Sequence, residues 1–250
     1  MPIFDDSDGT TQLQTPSGFK FSAAKLDLLT SSKYTLCNFA LDVSGSVQAY
    51  EGNLKQCLKD VLRGCRDDCA TSDNLLVRVV TFATDVQEVH GFRPVAKCKD
   101  DDYERAINTG GWTALFKASV NSIEAMSAQG RELIAGDYYA NGIFVCVTDG
   151  QNNIEGFGAK EVALAVARAK ESECLESVLT ILVGVGAGSQ DGKLDKYLSD
   201  FKTNAGFDQY IALEDTTQKS FSKLSGFLQQ SVSSQSQKVG TGQASQAIVY

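Results

Sequence analysis

A single histidine (His90) in 250 residues removes two large classes of chemistry at once. Neither a histidine-based zinc centre nor a Ser-His-Asp triad can be assembled from such parts. Long apolar runs are equally scarce, and none approaches the roughly 20 residues of a membrane helix. The start, Met1-Pro-Ile-Phe-Asp-Asp-Ser-Asp, carries neither a basic segment nor an apolar one, so no secretory signal is expected. Dense Lys/Arg runs are missing too. With 23 Lys+Arg against 31 Asp+Glu the formal charge is -8, which would repel a polyanionic duplex, so nucleic acid is not an expected partner. The seven cysteines are odd in number, and no Asn-x-Ser/Thr sequon occurs. Reduced thiols in a cytoplasmic protein are the simplest expectation.

What remains is an ordinary globular composition, 42% apolar and 22% charged, of a length that one core can organise. Residues 1–30 are polar and turn-rich and read as a leader or extended arm. From residue 34 strand-like and helix-like stretches alternate. Strands are expected over 34–41, 75–82, 86–90, 142–148, 178–185 and 209–213. Three of these (75–82, 142–148, 178–185) are almost continuously apolar, as strands covered on both faces are. Amphipathic periods over 47–65, 113–128, 159–174, 191–203 and 217–231 predict helices. This order predicts a doubly wound α/β domain over 31–230, with a mostly parallel central sheet flanked by helices and one short antiparallel edge strand. Residues 231–250, rich in Ser, Gln and Gly, read as a flexible tail whose apolar end, 247–250, is able to dock.

In such sheets ligands bind where loops leave the carboxyl ends of strands. Three polar clusters fall there: Asp42-Val-Ser44-Gly-Ser46 after the first strand, Gly110-Gly111-Trp112-Thr113 before a helix, and Thr148-Asp149-Gly150 after an apolar strand. Converging on one rim, Asp42, Ser44, Ser46, Thr113 and Asp149 offer oxygen atoms only. Such a set suits a hard cation, Mg²⁺ first, with Mn²⁺ or Ca²⁺ as alternatives. Two carboxylates at most neutralise the ion, which leaves it able to accept a Glu or Asp from another protein. Gly111, Trp112 and Gly150 would form the rim that meets this partner.

These three segments, in this order, resemble the metal-ion-dependent adhesion site of von Willebrand factor type A domains. The similarity spans roughly residues 34–228. The resemblance implies a Rossmann-like fold, direct ligation by Ser44 and Ser46, and ligation by Thr113 either directly or through water. It further implies contacts from Asp42 and Asp149 chiefly through waters. It also implies an adaptor or assembly role of the intracellular bacterial and phage type, with an AAA-type ATPase system as one kind of partner, no membrane and no catalysis. Trp112 departs from the small residue common at its position in the family.

Competing readings are weaker. Ser44 or Ser46 has the position of a helix N-cap. A metal-dependent phosphoesterase or phosphotransferase could use the same ion as a Lewis acid, but Ser44 stands where an aspartyl-phosphate enzyme needs its acid. Gly184-Val-Gly186-Ala-Gly188 lacks the full dinucleotide spacing and reads as a turn. Asp5 to Gly9 lacks the glutamate of a calcium loop. Cys57, Cys65 and Cys69 read mainly as buried thiols, His90 as a structural histidine, and Asp100-Asp101-Asp102 as a solvated acidic face near the rim.

Overall fold

Side chains alternate along each strand, and on the central strands of the main sheet both sets are buried. The computed structural model describes residues 9–188, 192–241 and 248–250. Its strands are β1 (Thr10–Gln14), β2 (Lys20–Ala24), β3 (Lys33–Asp42), β4 (Leu75–Phe82), β5 (Val86–Pro94), β6 (Tyr139–Thr148), β7 (Ser177–Gly184) and β8 (Gln209–Ala212). Its helices are α1 (Glu51–Asp67), α2 (Asp101–Glu104), α3 (Leu115–Ala135), α4 (Ala159–Glu171), α5 (Lys193–Ala205) and α6 (Gln218–Lys238). The main sheet has the order β5-β4-β3-β6-β7-β8, parallel throughout except for the antiparallel edge strand β5. The expected doubly wound α/β architecture is thus present.

On β3, Leu36 and Ala40 enter the layer beneath α3, α4 and α5, while Cys37, Phe39 and Leu41 enter the layer beneath α1 and α6. The register then sets the stage for a site. Asp42 pairs with Phe82, and Leu41 with Val147, so the carboxyl ends of β3, β4 and β6 lie level. The chain leaves β3 toward β4 on one side and returns to β6 on the other. That reversal opens a crevice between the ends of β3 and β6.

The N-terminal expectation needs correcting. Residues 10–24 form a β-hairpin, not a loose arm: β1 and β2 pair from Thr10↔Ala24 to Gln14↔Lys20. Phe21, Ala23 and Ala24 are buried, and Phe21 meets Phe92 edge-on at 6.4 Å. Gly91 makes the approach possible, because a Cβ there would lie 2.0 Å from the Ser22 carbonyl oxygen. Residues 5–8 of the acidic turn lie outside the described residues.

The tail also differs from expectation. Helix α6 continues past 231 to Lys238. Its polar residues are satisfied inside the fold: Ser236 Oγ donates to Thr35 Oγ1 at 3.1 Å, and Asn141 Nδ2 donates to the Gln235 carbonyl at 3.2 Å. Small hydroxyls permit that close approach. Residues 242–247 lie outside the described residues, but the end is docked. The Tyr250 ring packs on Phe227 at 5.3 Å beneath the Lys223 ammonium, and Gln209 Nε2 donates to the Ile248 carbonyl at 2.7 Å. No helix among the described residues is long and apolar enough to cross a membrane.

Candidate functional site

At the last position of β3, Asp42 directs its carboxylate to the loop that follows and across to β6. Oδ1 accepts from the Ser44 amide at 2.8 Å, and Oδ2 accepts from the Thr148 hydroxyl at 2.5 Å across the crevice. A 3₁₀ turn follows at Gly45–Ala49, which carries Ser46 back toward β6. There Ser46 Oγ donates to Asp149 Oδ1 at 2.7 Å and lies 3.2 Å from Ser44 Oγ. Ser44 caps the turn by position only, since its side chain makes no cap hydrogen bond. The capping reading of the two serines therefore fails, and their hydroxyls face each other and Asp149.

Thr113 reaches the same rim from the other face of the sheet. It is 4% exposed, and a Cβ on Gly150 would lie 3.1 Å from its Oγ1. The loops are tied together by Gly110 N donating to the Val43 carbonyl at 2.8 Å and Gly45 N donating to the Gly111 carbonyl at 3.4 Å. Gly111 has φ +84°, and a Cβ there would press on Thr84 Oγ1 at 2.6 Å, so only glycine fits this corner. Trp112 then projects outward, 62% exposed.

The electrostatics single out Asp42. It is 1% exposed, and no Lys or Arg pairs with it among the described residues. Burial lifts its carboxyl to about 6, against the pull of the Thr148 and Ser44 hydrogen bonds; the Asp149 carboxylate adds a smaller push. Burial also raises the Tyr50 phenol above its usual range, with Asp149 beside it as the second cause. Asp42 and Asp149 thus share one rim with no Lys or Arg paired to Asp42 among the described residues, and the resulting disfavour of the charged form is what a bound cation would relieve.

Among the described residues no group of three or more His, Cys, Asp or Glu forms a cage. The donors here are two carboxylates and neighbouring hydroxyls, oxygen ligands throughout. Oxygens that ligate one ion octahedrally at 2.0–2.1 Å stand about 3 Å apart. The Ser44–Ser46 and Ser46–Asp149 separations of 3.2 and 2.7 Å bracket that value. The donor set fits a small hard dication.

Four residues were not foreseen as parts of the site. Thr148 and Tyr50 hold the two aspartates. Asn153 Oδ1 accepts from the Thr113 amide at 2.6 Å, and Asn152 Oδ1 accepts from the Phe116 amide at 3.2 Å. Helix α3 has no side-chain cap from its own N-cap residue, so Asn152 satisfies one of its first amides and Asn153 holds the segment leading into it, both from the loop after Asp149. Thr148 was at least visible within the Thr-Asp-Gly segment. The asparagines carried no local signal, because their partners lie on another element.

The remaining candidates stand outside the site. His90 Nδ1 donates to the Gly91 carbonyl and Nε2 accepts from Tyr103, both at 2.9 Å. Burial, aided by Arg93, pushes His90 down to about 3. Cys57 and Cys65 are buried with thiols pushed up to about 12, while Cys69 is exposed. The acidic run is solvent-accessible as expected, with Asp101 exposed, but two of its members are also paired: Asp100 with Arg63 and Arg66, and Asp102 with Arg93. Gly186 turns the chain after β7 at φ +67°. No histidine or further carboxylate among the site residues described above serves as a general base, which leaves the phosphoesterase reading without support.

No protein-family model matches the chain, and no curated protein matches it in sequence. Solved structures do match. The pilus adhesin SpaC from Lactobacillus rhamnosus GG, in its open conformation, superposes with a TM-score of 0.61 at 10% identity, covering 93% of this chain and 35% of the adhesin. The PilB minor pilin from Streptococcus sanguinis gives 0.58 at 13% identity, covering 87% of this chain and 65% of the pilin. Proximal thread matrix protein 1 from the mussel byssus, in a structure whose metal-ion-dependent adhesion site holds zinc, gives 0.52 at 19% identity over 82% of this chain and 46% of that protein. The chain therefore spans less than two thirds of each. The fold is von Willebrand factor type A-like, and its neighbours include pilins, adhesins and a matrix protein.

Proposed function

We propose that this protein is a divalent-cation-dependent protein-interaction module without catalytic activity. Ser44, Ser46 and Thr113 would hold Mg²⁺, with Mn²⁺ or Ca²⁺ as substitutes, while Asp42 and Asp149 balance its charge. Bound there, the cation supplies an electrophilic centre for a Glu or Asp carboxylate of a partner protein. The observation that carries this reading is the convergence of the buried Asp42 carboxylate, Asp149 and two serine hydroxyls that no cap consumes on one rim. The zinc-holding site of the byssus protein supports it by likeness of fold.

Gly111, Trp112 and Gly150 surround the cation position, and an exposed tryptophan is a favoured anchor at interfaces. An adaptor role beside an AAA-type ATPase is the cellular setting we favour. Calorimetric titration of Mg²⁺ into the wild-type protein and Asp42→Ala tests the first step. Saturable binding to the wild type alone is expected. No heat and no thermal stabilisation with either protein would remove the proposal.

A further inference from the structure

Beside the cation position runs a groove of about 460 Å³, within the roughly 300–1,000 Å³ range of ligand sites. Its walls are the β4–β5 turn and the loop before Gly110, with Val43, Ala83, Thr84, Gln87, Ala106 and Thr109 among the lining residues. Two of its edges are continuous with the candidate site. Val43 and Gly110 line the groove, and each directly precedes a site residue, Ser44 and Gly111 respectively.

The groove is also braced. Ala114 N donates to the Ala83 carbonyl at 2.8 Å, Trp112 N donates to Thr84 Oγ1 at 3.1 Å, and Gly110 N holds the Val43 carbonyl. A pocket already ordered costs a ligand less to enter. Its chemistry is uncharged and mixed, with Val43, Ala83 and Ala106 supplying apolar wall beside hydroxyls and amides. The one charged lining residue, Asp85, is paired with Lys117 at 2.7 Å, and the nearby acids Asp100 and Asp102 are paired with arginines. Hydroxyls and amides from Thr81, Thr84, Gln87, Asn108 and Thr109 supply hydrogen-bonding groups without net charge.

We infer that this groove is the second half of the docking surface and takes an extended, uncharged polar stretch, rich in Ser, Thr, Asn or Gln, of the same partner chain whose carboxylate meets the cation. The inference rests on the proposed function. It adds that recognition extends from the carboxylate in one direction only, toward the β4–β5 turn, with Trp112 at the junction.

The test uses the full chain and a library of random peptides, each with one fixed central glutamate, selected in Mg²⁺ and eluted with a chelator. Selected peptides should carry Ser, Thr, Asn or Gln on one side of the glutamate. Ala106→Trp and Gln87→Trp, which fill the groove from opposite walls, should each weaken them by about tenfold or more, while Mg²⁺ alone binds both variants as it binds the wild type. Selected peptides that bind both variants as tightly as the wild type would overturn the groove and leave the cation reading standing. Peptides that bind equally in chelator, or a selection that returns no glutamate-dependent peptide, would overturn the cation reading and the groove with it. Two variants guard against a single misfolded one, and the Mg²⁺ titration reports folding independently.

Discussion

Removing Glu88 should be among the most damaging single changes outside the site. Its partner Arg78 is 1% exposed, in the middle of β4. The guanidinium donates to Glu88 Oε2 at 2.7 Å, to Asn38 Oδ1 at 2.9 Å and to Asn121 Oδ1 at 3.0 Å, and it lies 5.7 Å from the Phe21 ring centre. Among the described residues only Glu88 pairs its charge with Arg78, and the other Glu88 carboxylate oxygen accepts the Ser22 amide of the hairpin at 2.9 Å. Breaking a buried pair from one side costs about 3–5 kcal/mol, because a charge is left without compensation. Glu88 itself is 17% exposed, so water can partly replace it, and the low end, about 3 kcal/mol, is the expected cost of Glu88→Ala. For a chain of this size that is a fall in Tm of roughly 6–12 °C. Glu88→Gln keeps a hydrogen-bonding oxygen and should cost less, about 1–2 kcal/mol. Urea titrations followed by circular dichroism, with thermal scans of the same samples, measure both. A cost below about 1 kcal/mol for Glu88→Ala would refute the view that this pair is an uncompensated charge in waiting.

Other outcomes follow from the same coordinates. His90 is neutral in the fold, pushed down to about 3, whereas the unfolded chain protonates near its ordinary value of 6.5. Between those values the unfolded state binds the extra proton, so stability falls as pH drops, with a slope approaching ~1.4 kcal/mol per pH unit. His90→Gln should flatten that slope in urea titrations from neutral to acid pH, and identical slopes would count against it. At Asp42 the sign reverses: its folded value of about 6 lies above 3.8, so its contribution is full at low pH and is lost as pH rises through about 6. Asp42→Asn should therefore stabilise the metal-free protein by on the order of 2 kcal/mol near pH 8 and abolish any stabilisation by Mg²⁺; thermal scans with and without the ion decide. Gly91→Ala would press a methyl group into the Ser22 carbonyl; a cost of about 1–3 kcal/mol and faster proteolysis of residues 10–24 are expected, and an unchanged cleavage rate would show that the hairpin is not seated there.

The main sheet was legible because its strands advertise themselves. β4, β6 and β7 are buried on both faces, and β6 and β7 are each followed by a helical period that can cover one of them. The three polar clusters were legible for a related reason, since strand-exit loops with clustered hydroxyls and carboxylates have little other structural use. The hairpin was not, because β1 is Thr-Thr-Gln-Leu-Gln and β2 shows its apolar character only once Phe21 has found Phe92. The last turns of α6 were hidden for the opposite reason. Their Ser and Gln side chains look solvated in sequence, yet Ser231, Gln235 and Ser236 are buried, a fact that depends on a hydroxyl of β3 and an amide of β6 distant in the chain. Asp100 and Asp102 misled similarly, as their arginine partners lie on α1 and β5.

The asparagines that follow Asp149 fasten two parts of the rim to each other. Asn153 accepts from the amide of Thr113, and Asn152 accepts from the first turn of α3, so the β6 exit loop and the start of a 21-residue helix share their hydrogen bonds. A cation seated beside Asp149 and Ser46 would therefore bear on a loop already fastened to the first turn of that helix, and its binding energy would be shared between two elements far apart in the chain.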